Sequence, residues 1–256
     1  MKSDDILNIA TKRGFFFPSG EIYGAKAGFW TYGHLGTIMK HKFENLWRDY
    51  FLKLDDNYFE IDDVNILSED VFKNSGHLKH FSDPLEDEKG NVKQFNMMLE
   101  VKVGVTGDEK MYLRPETAQS PYISFKREFM ALREKLPMGL AIIGKVFRNE
   151  INPRQGFFRL REFTQAELQI FFKEDEFDVN FDEVKDYKIR VMDKDVKCSS
   201  LKIPKFYIYH LVKIQQFYLD VLKIPKEKFR FRELDKDERA FYNKIHYDIE
   251  LDMDSL

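Results

Sequence analysis

Between Leu35 and Leu54 the apolar side chains fall at positions 35, 38, 39, 43, 46, 47, 50, 51 and 54. That spacing predicts an amphipathic helix whose aromatic stripe packs on a core. Before it, "PSGEIYGAKAGFWTYGHLG" is punctuated by Gly20, Gly24, Gly28, Gly33 and Gly36, which marks tight turns or close backbone approach. Residues 83–94, DPLEDEKGNVKQ, read as an exposed acidic loop. EKMYLRPETAQ (109–119) reads as a short strand entering a turn at Pro115, and a helix is expected from about Tyr122 to Lys135. The apolar run LAIIGKVF (140–147) has strand length, Asn152, Pro153 and Gly156 mark a loop, and FFRLREFTQAELQIFF (157–172) is a long strand candidate. Residues 173–205 are charged and weakly patterned, so an insertion or linker is expected there, followed by helices over 206–224 and 235–250. No internal repeat is visible.

Composition narrows the class. With 256 residues, 43% of them apolar, the chain can bury one large domain or a domain with a small annex. A net charge of -3 makes any nucleic-acid contact a matter of local basic surface. A single cysteine, Cys198, excludes a disulfide framework and a cysteine-rich zinc site, and fits a reducing compartment. The N-terminus lacks the apolar core of a secretory signal, and no apolar run approaches membrane-spanning length. A cytoplasmic protein is the expectation.

The candidate chemistry lies in "FRNEINPRQGFFRLREFTQAE" (147–167), which holds four arginines, three glutamates and four phenylalanines. If 158–168 is a strand, alternation puts Phe158, Leu160, Glu162, Thr164, Ala166 and Leu168 on one face. Arg159, Arg161, Phe163, Gln165 and Glu167 lie on the other. The second face orders cations, a ring, an amide and an acid over roughly 26 Å. An elongated ligand with an anionic end, a flat base and an ammonium would match it, because guanidinium forks grip phosphates in two places. Arg148 could add a third guanidinium across a hairpin. The residues alone reach no further than an α/β or α+β domain with a phosphate-sized arginine face.

"FRNE", a loop and "RLREFTQAE" resemble motif 2 of class II aminoacyl-tRNA synthetases, with Arg148, Glu150, Arg159, Phe163 and Glu167 at the motif positions. "RGFFFPSGEIYGAKAGFWTYGHLG", "SGHLKHFSDP", "FNMML", "YLRPETAQ" and "FRELDKDERAFYNKIHYDIE" are similar, in order, to the dimeric type of glycyl-tRNA synthetase. The resemblance covers nearly the whole chain. It implies an α+β catalytic domain, an antiparallel sheet flanked by helices. The implied activity is ATP-dependent activation of glycine to an adenylate and transfer to the 3' end of tRNA(Gly), with magnesium on the phosphates and a homodimer as the working form. Catalytic residues implied are Arg148, Glu116 and Glu167. ATP-binding residues implied are Arg148, Asn149, Glu150, Phe158, Arg159, Leu160, Arg161, Glu162 and Phe163. The glycine pocket implied is Glu116, Phe163, Thr164, Gln165, Ala166 and Glu167. In that scheme Arg148 holds the α-phosphate and the glycine carboxylate, Arg159 reaches the γ-phosphate, Phe163 stacks on adenine, and Glu150 sits near the adenine edge or the tRNA end. Arg161 is either a ligand contact or structural. No metal ligated by protein side chains is expected.

The sequence also departs from the family. About ten residues, Leu85–Gln94, stand where the family has a longer insertion bearing a substrate-contacting arginine, and Glu69 stands where motif 1 has a proline. The implied division is a catalytic core with motifs 1 and 2 (1–172), a charged insertion or linker (173–205), and a helical continuation (206–256) that stops before motif 3. On this resemblance the anticodon-binding domain is expected to be absent from these residues. A second polypeptide supplying motif 3 is one expectation; a synthetase-like binding or accessory module is the alternative reading, and another adenylating ligase a third. Weaker signals add little. "GHLG" lacks the rest of a class I signature, and there is no phosphate-binding GxxxxGK[ST] loop. His77 and His80 have no metal-ligand partners in sequence, although "SGH" belongs to the family pattern and the resemblance implies that His77 lines the site indirectly; Lys126, Arg127, Arg133 and Lys135 read as a solvated face or a tRNA backbone contact.

Overall fold

The computed structural model describes residues 3–86, 90–153, 157–173, 179–235, 238–239 and 243–252. The chain divides into two compact units, Asp4–Phe172 and Lys173–Leu256 with Met1–Ser3. The first stretch contains α1 (Ser3–Lys12), β1 (Phe16–Pro18), β2 (Trp30–Tyr32) and α2 (His34–Phe51). The predicted helix is α2, finished by a 3-10 turn at Leu52–Leu54, but its stripe does not all pack on a core: Trp47 is buried, whereas Leu35, Ile38, Met39 and Phe43 are exposed. Its glycine-rich entrance has a steric cause. The first turn of α2 lies on the backbone of Gly14 and Phe15, where a side chain at Gly33 or Gly36 would overlap the Gly14 or Phe15 carbonyl. The N–H of Gly33 donates to Phe15 O (2.9 Å) and that of Leu35 to Gly14 O (3.2 Å), which satisfies donors a helix start leaves open.

The middle of the first unit contains β3 (Tyr58–Glu60), β4 (Ile66–Ser68), α3 (Glu69–Asn74), α4 (His77–His80), β5 (Ser82–Glu86), β6 (Val92–Asn96), β7 (Leu99–Val103) and β8 (Glu109–Leu113). It closes with α5 (Gln119–Ala131), β9 (Met138–Phe147) and β10 (Glu162–Phe171). Strands β9 and β10 pair antiparallel over their whole length, from Glu162↔Phe147 to Phe171↔Met138, and β3 joins β9 in parallel. Most of β9 is buried, as its unbroken apolar run predicts, and Phe125 of α5 packs on Phe171 with ring centroids 4.3 Å apart. A second antiparallel sheet, β4-β8-β7, closes over Leu67, Phe72, Met98 and Tyr112, with Phe81 packed on that cluster.

Two expectations change here. The acidic stretch 83–94 is a hairpin, β5 with β6, in the register Ser82↔Asn96 to Glu86↔Val92; its central residues 87–89 lie outside the described set. Exposure, not irregular backbone, explains its polar composition. The long strand begins at Glu162 rather than 157, so Arg159 and Arg161 precede the alternating row. Gly156, expected in the loop, lies outside the described residues.

The second unit contains α6 (Phe181–Val184), β11 (Lys188–Val191), β12 (Lys194–Lys197), α7 (Lys205–Gln216), β13 (Phe229–Glu233) and β14 (Tyr247–Leu251). Its sheet order is β12-β11-β13-β14. The segment 173–205 is no linker. It supplies Val184, Ile189 and Cys198 to a core shared with Ile208, Leu211, Val212, Phe229 and Phe231. Burial pushes the Cys198 thiol up to about 11, which makes it an unreactive apolar filler. The helix expected over 206–224 is α7 with a π turn at Phe217–Val221. The helix expected over 235–250 is not found: 247–251 is a strand. Tyr247, Ile249 and Leu251 alternate with Asp248 and Glu250, and the charges select the register. Arg230 meets Glu250 at 2.7 Å and Arg232 meets Asp248 at 3.3 Å across the strands. Residues 236–237 and 240–242 lie outside the described set.

Candidate active site

The turn between β8 and α5, Arg114 to Ala118, crosses the ends of β9 and β10. Its backbone is fixed by long-range bonds. Phe147 N donates to Arg114 O (2.9 Å), and Thr117 N donates to the side-chain oxygen of Gln165 (3.2 Å). Arg114 is the turn's buried anchor, 1% exposed. Its guanidinium donates to Lys145 O (2.8 Å), and more weakly to Asp63 O, Val64 O and Ser120 Oγ. This clamp ties the turn to β9.

Arg148 follows the last residue of β9. Its Nε donates to Pro115 O (3.0 Å), and its guanidinium lies 5.3 Å from the Phe81 ring centroid and 5.2 Å from that of Phe163. Held by one hydrogen bond and two rings, its terminal amino groups make no hydrogen bond among the described residues. That leaves a positioned cation with its two-pronged edge open to an oxyanion.

Two half-buried carboxyls, Glu116 and Glu167, lie near it. Oε1 of Glu116 accepts from His77 Nε2 (3.0 Å) and Gln119 Nε2 (2.9 Å). Burial alone would push the Glu116 carboxyl up, but these donors and the Arg148 charge outweigh it, and the group titrates below the usual carboxylate range. Glu167 behaves oppositely. Burial, then the charge of Glu116, hold its carboxyl above the usual range despite Gln169 (3.2 Å) and Arg148. Two neighbouring carboxyls driven in opposite directions mark a candidate functional site.

Residues 101–218 match the family described as tRNA synthetase class II core domain (G, H, P, S and T). These residues carry the class II tRNA synthetase core fold. Curated relatives agree. It is 35% identical to the glycine–tRNA ligase of Thermococcus kodakarensis and 36% identical to that of Pyrococcus furiosus, each match covering 98% of this chain and 54% of the relative. The glycine–tRNA ligase of Methanothermobacter thermautotrophicus is 33% identical over 97% of the chain and 55% of its own length. The chain is thus homologous to glycine–tRNA ligases and spans about half the length of the curated relatives it matches. The first two matches run over 312 residues, more than the chain has, so the relatives carry sequence without a counterpart here. Among solved structures, prolyl-tRNA synthetase from Cryptosporidium parvum superposes with a TM-score of 0.59 at 12% identity, covering 94% of this chain and 38% of that one. At that identity the likeness speaks to fold alone.

In class II terms, the structure gathers Arg148, Phe163, Glu116, Gln165 and Glu167 around one turn. The motif 2 alternation therefore holds where the strand exists: Phe163 meets Arg148, and Gln165 meets the turn. Arg159 and Glu150 pair with each other, Nε to Oε2 at 3.2 Å, with Arg159 about half exposed and Glu150 buried. Arg161 donates to Glu150 O (3.2 and 2.9 Å) and Ala27 O (3.2 Å), so its guanidinium braces main chain. Leu160 is buried and Glu162 pairs with Lys145 at 2.8 Å, which places both in the scaffold of this loop. Asn149 ties its N–H to Met97 O (2.8 Å), and Phe158 is exposed. Thr164 and Ala166 are half-buried on β10, the Thr164 hydroxyl without a hydrogen-bond partner among the described residues. Sequence reasoning assigned no site role to Arg114, Gln119 or Phe81, and gave His77 only an indirect one. All four sit in the quoted stretches "YLRPETAQ" and "SGHLKHF", but nothing local to those stretches says which side chain meets which.

Proposed function

We propose that this chain is the catalytic core of a glycine–tRNA ligase, which joins glycine to ATP and passes the glycyl group to the terminal adenosine of tRNA(Gly). The observation that carries this reading is the open guanidinium edge of Arg148, with the half-buried carboxyls of Glu116 and Glu167 near it. A zwitterion fits that arrangement: its ammonium meets Glu116 and Glu167, and its carboxylate meets Arg148. The glycine carboxylate attacks the α-phosphorus in line and pyrophosphate leaves, with the adenylate formed. A hydroxyl of the tRNA terminus then attacks the acyl carbon and AMP leaves. Arg148 neutralises charge that develops on the α-phosphate, a positioning and electrostatic role that needs no covalent chemistry from the protein. Phe163 offers a ring face to adenine, and Arg159 turns from Glu150 toward the γ-phosphate. Glycine has no side chain to grip, so selectivity comes from exclusion of larger ones.

Among the described residues no cluster of three or more His, Cys, Asp or Glu side chains is placed to hold a metal. Magnesium would come with ATP and supply neutralising charge for its phosphates, which suits an ion that keeps most of its water. No helix among the described residues is long and apolar enough to cross a membrane, and a cytoplasmic site of action is part of this reading. A second copy of the chain is the partner proposed for α2, whose Leu35, Ile38, Met39 and Phe43 expose one apolar stripe.

The test is glycine-dependent ATP–pyrophosphate exchange by the purified chain, with alanine and serine as competing substrates. Exchange is expected with glycine only. Arg148→Ala is expected to lower it by about 10²–10³-fold, the usual loss when one preorganised charge donor is removed. Equal exchange with alanine, or an unaffected Arg148→Ala variant, would overturn the proposal. ATP binding without exchange would favour the accessory-module reading.

A further inference from the structure

We propose that His77 is a positioning residue of the amino-acid pocket, holding one oxygen of Glu116 so that the other meets the substrate ammonium. This inference rests on the glycine-activating reading above and names how its pocket is kept in shape.

His77 is 5% exposed and precedes Phe81 on the same short segment. Its ring lies between aromatic neighbours, 6.2 Å from the Phe72 centroid and 5.6 Å from that of Phe81. Nδ1 is 2.9 Å from Ser75 Oγ, and Nε2 is 3.0 Å from Glu116 Oε1. A carboxylate oxygen only accepts, so Nε2 carries a hydrogen in the neutral and the protonated ring alike, and the Ser75 hydroxyl rotates to suit Nδ1. Gln119 Nε2 approaches the same Oε1 at 2.9 Å and lies 3.4 Å from His77 Nε2. Two donors converging on one acceptor explain that last distance; it is proximity and not a bond. Both donors are spent on Oε1. Oε2 takes no hydrogen bond among the described residues and is not sealed off.

The geometry is that of an oriented carboxylate. An unsupported glutamate has three rotatable bonds and would turn its charge toward Arg148, the cation that also lowers it. The other charged group facing it is Glu167, which repels it. His77 and Gln119 set the angle against both forces. The same segment carries Phe81 to the guanidinium of Arg148, so residues 75–81 stand behind the ammonium side and the carboxylate side of the proposed substrate together.

The experiment measures half-saturating glycine and ATP in the exchange assay for the unsubstituted chain, His77→Phe, His77→Gln, Glu116→Gln and the double variant His77→Phe/Glu116→Gln. His77→Phe keeps the packed ring and removes the donor. It is expected to raise the glycine requirement about tenfold, the worth of one hydrogen bond to a charged group, and to leave that for ATP within about twofold. His77→Gln, which restores a donor, is expected to recover most of the loss. In the Glu116→Gln background His77→Phe is expected to change the glycine requirement less than about twofold, because its effect runs through Glu116. Equal shifts for glycine and ATP, or additive effects in the double variant, would show a merely structural histidine and overturn the inference. If thermal unfolding shows that His77→Phe does not fold, Ser75→Ala, which releases Nδ1 and keeps the ring, is tested for the same glycine-only shift. Exchange by the unsubstituted chain with no glycine dependence overturns the functional reading and this inference together. Glycine-dependent exchange that His77→Phe leaves unchanged overturns this inference alone.

Discussion

Gly144→Ala is expected to destabilise the first unit by on the order of 3–5 kcal/mol, the range for breaking a buried, hydrogen-bonded charge site. Gly144 lies opposite Gln165 in the β9–β10 ladder. A Cβ there would overlap Nη2 of Arg114 and come within 3.1 Å of its Cζ and 3.7 Å of Thr117 Cγ2. An exposed arginine would swing away at little cost. Arg114 cannot, because it is 1% exposed and its guanidinium is committed to Lys145 O, Asp63 O, Val64 O and Ser120 Oγ. Burial already lowers its pKa, with only partial compensation from Asp63, Asp62 and Glu167, so a guanidinium pushed off these carbonyls loses bonds that offset its burial. Displacing it strands a buried cation and opens the turn that carries Glu116. Urea unfolding of the variant against the unsubstituted chain measures the loss. A change below about 1 kcal/mol would mean that the turn adjusts freely and that Arg114 is no anchor.

Glu167→Gln is expected to raise the glycine requirement at least about 100-fold while making the ligand-free protein more stable at neutral pH. The first effect follows from removing one carboxylate from a desolvated ammonium site, where losing a charged partner costs about 2–5 kcal/mol. The second follows from the direction of its pKa. Burial and the Glu116 charge hold Glu167 above the usual carboxylate range in the folded chain. A carboxyl raised on folding contributes stability at pH below its unfolded value, and that contribution is lost as pH rises through the folded value. Above that window the ionised group is a cost, which glutamine removes. The thermal midpoint of Glu167→Gln should therefore exceed that of the unsubstituted chain at pH 8 by a few degrees, since each kcal/mol moves it about 2–4 °C in a chain of this size. The gap should close toward pH 4. A variant less stable at pH 8, or one that uses glycine normally, would show that Glu167 is satisfied without substrate. The pairing of lost function with gained stability is the signature of a site kept strained for a ligand.

The candidate site was half legible before any coordinates. Phe163, Gln165 and Glu167 fall on one side of a strand because side chains alternate with period two, and that rule needs no tertiary information; Arg148, just past the end of β9, was reached only as an addition across the hairpin. The rule was overextended to Arg159 and Arg161. The strand starts only at Glu162, and the two arginines find partners in Glu150 and in the main chain of residues 27 and 150. Strand ends depend on where the partner strand ends, and β9 stops at Phe147. His77 and Gln119 were not legible as holders of Glu116. His77 is 39 residues from it, and no periodicity reports a hydrogen bond of that span.

The amino-acid sequence by itself determined α2, the buried strand β9, the core of β10 and the resemblance to class II synthetases. Each of these rests on spacing within a few turns or pleats, where local geometry dictates the pattern. Only the tertiary structure decided that 83–94 pairs with itself, that 247–251 is a strand against β13, and that Val184, Ile189 and Cys198 join a core with residues from α7 and β13. Those segments are short and highly charged, so their local pattern is weak. Their conformation is selected by partners distant in sequence, through cross-strand ion pairs and the burial of a few apolar side chains.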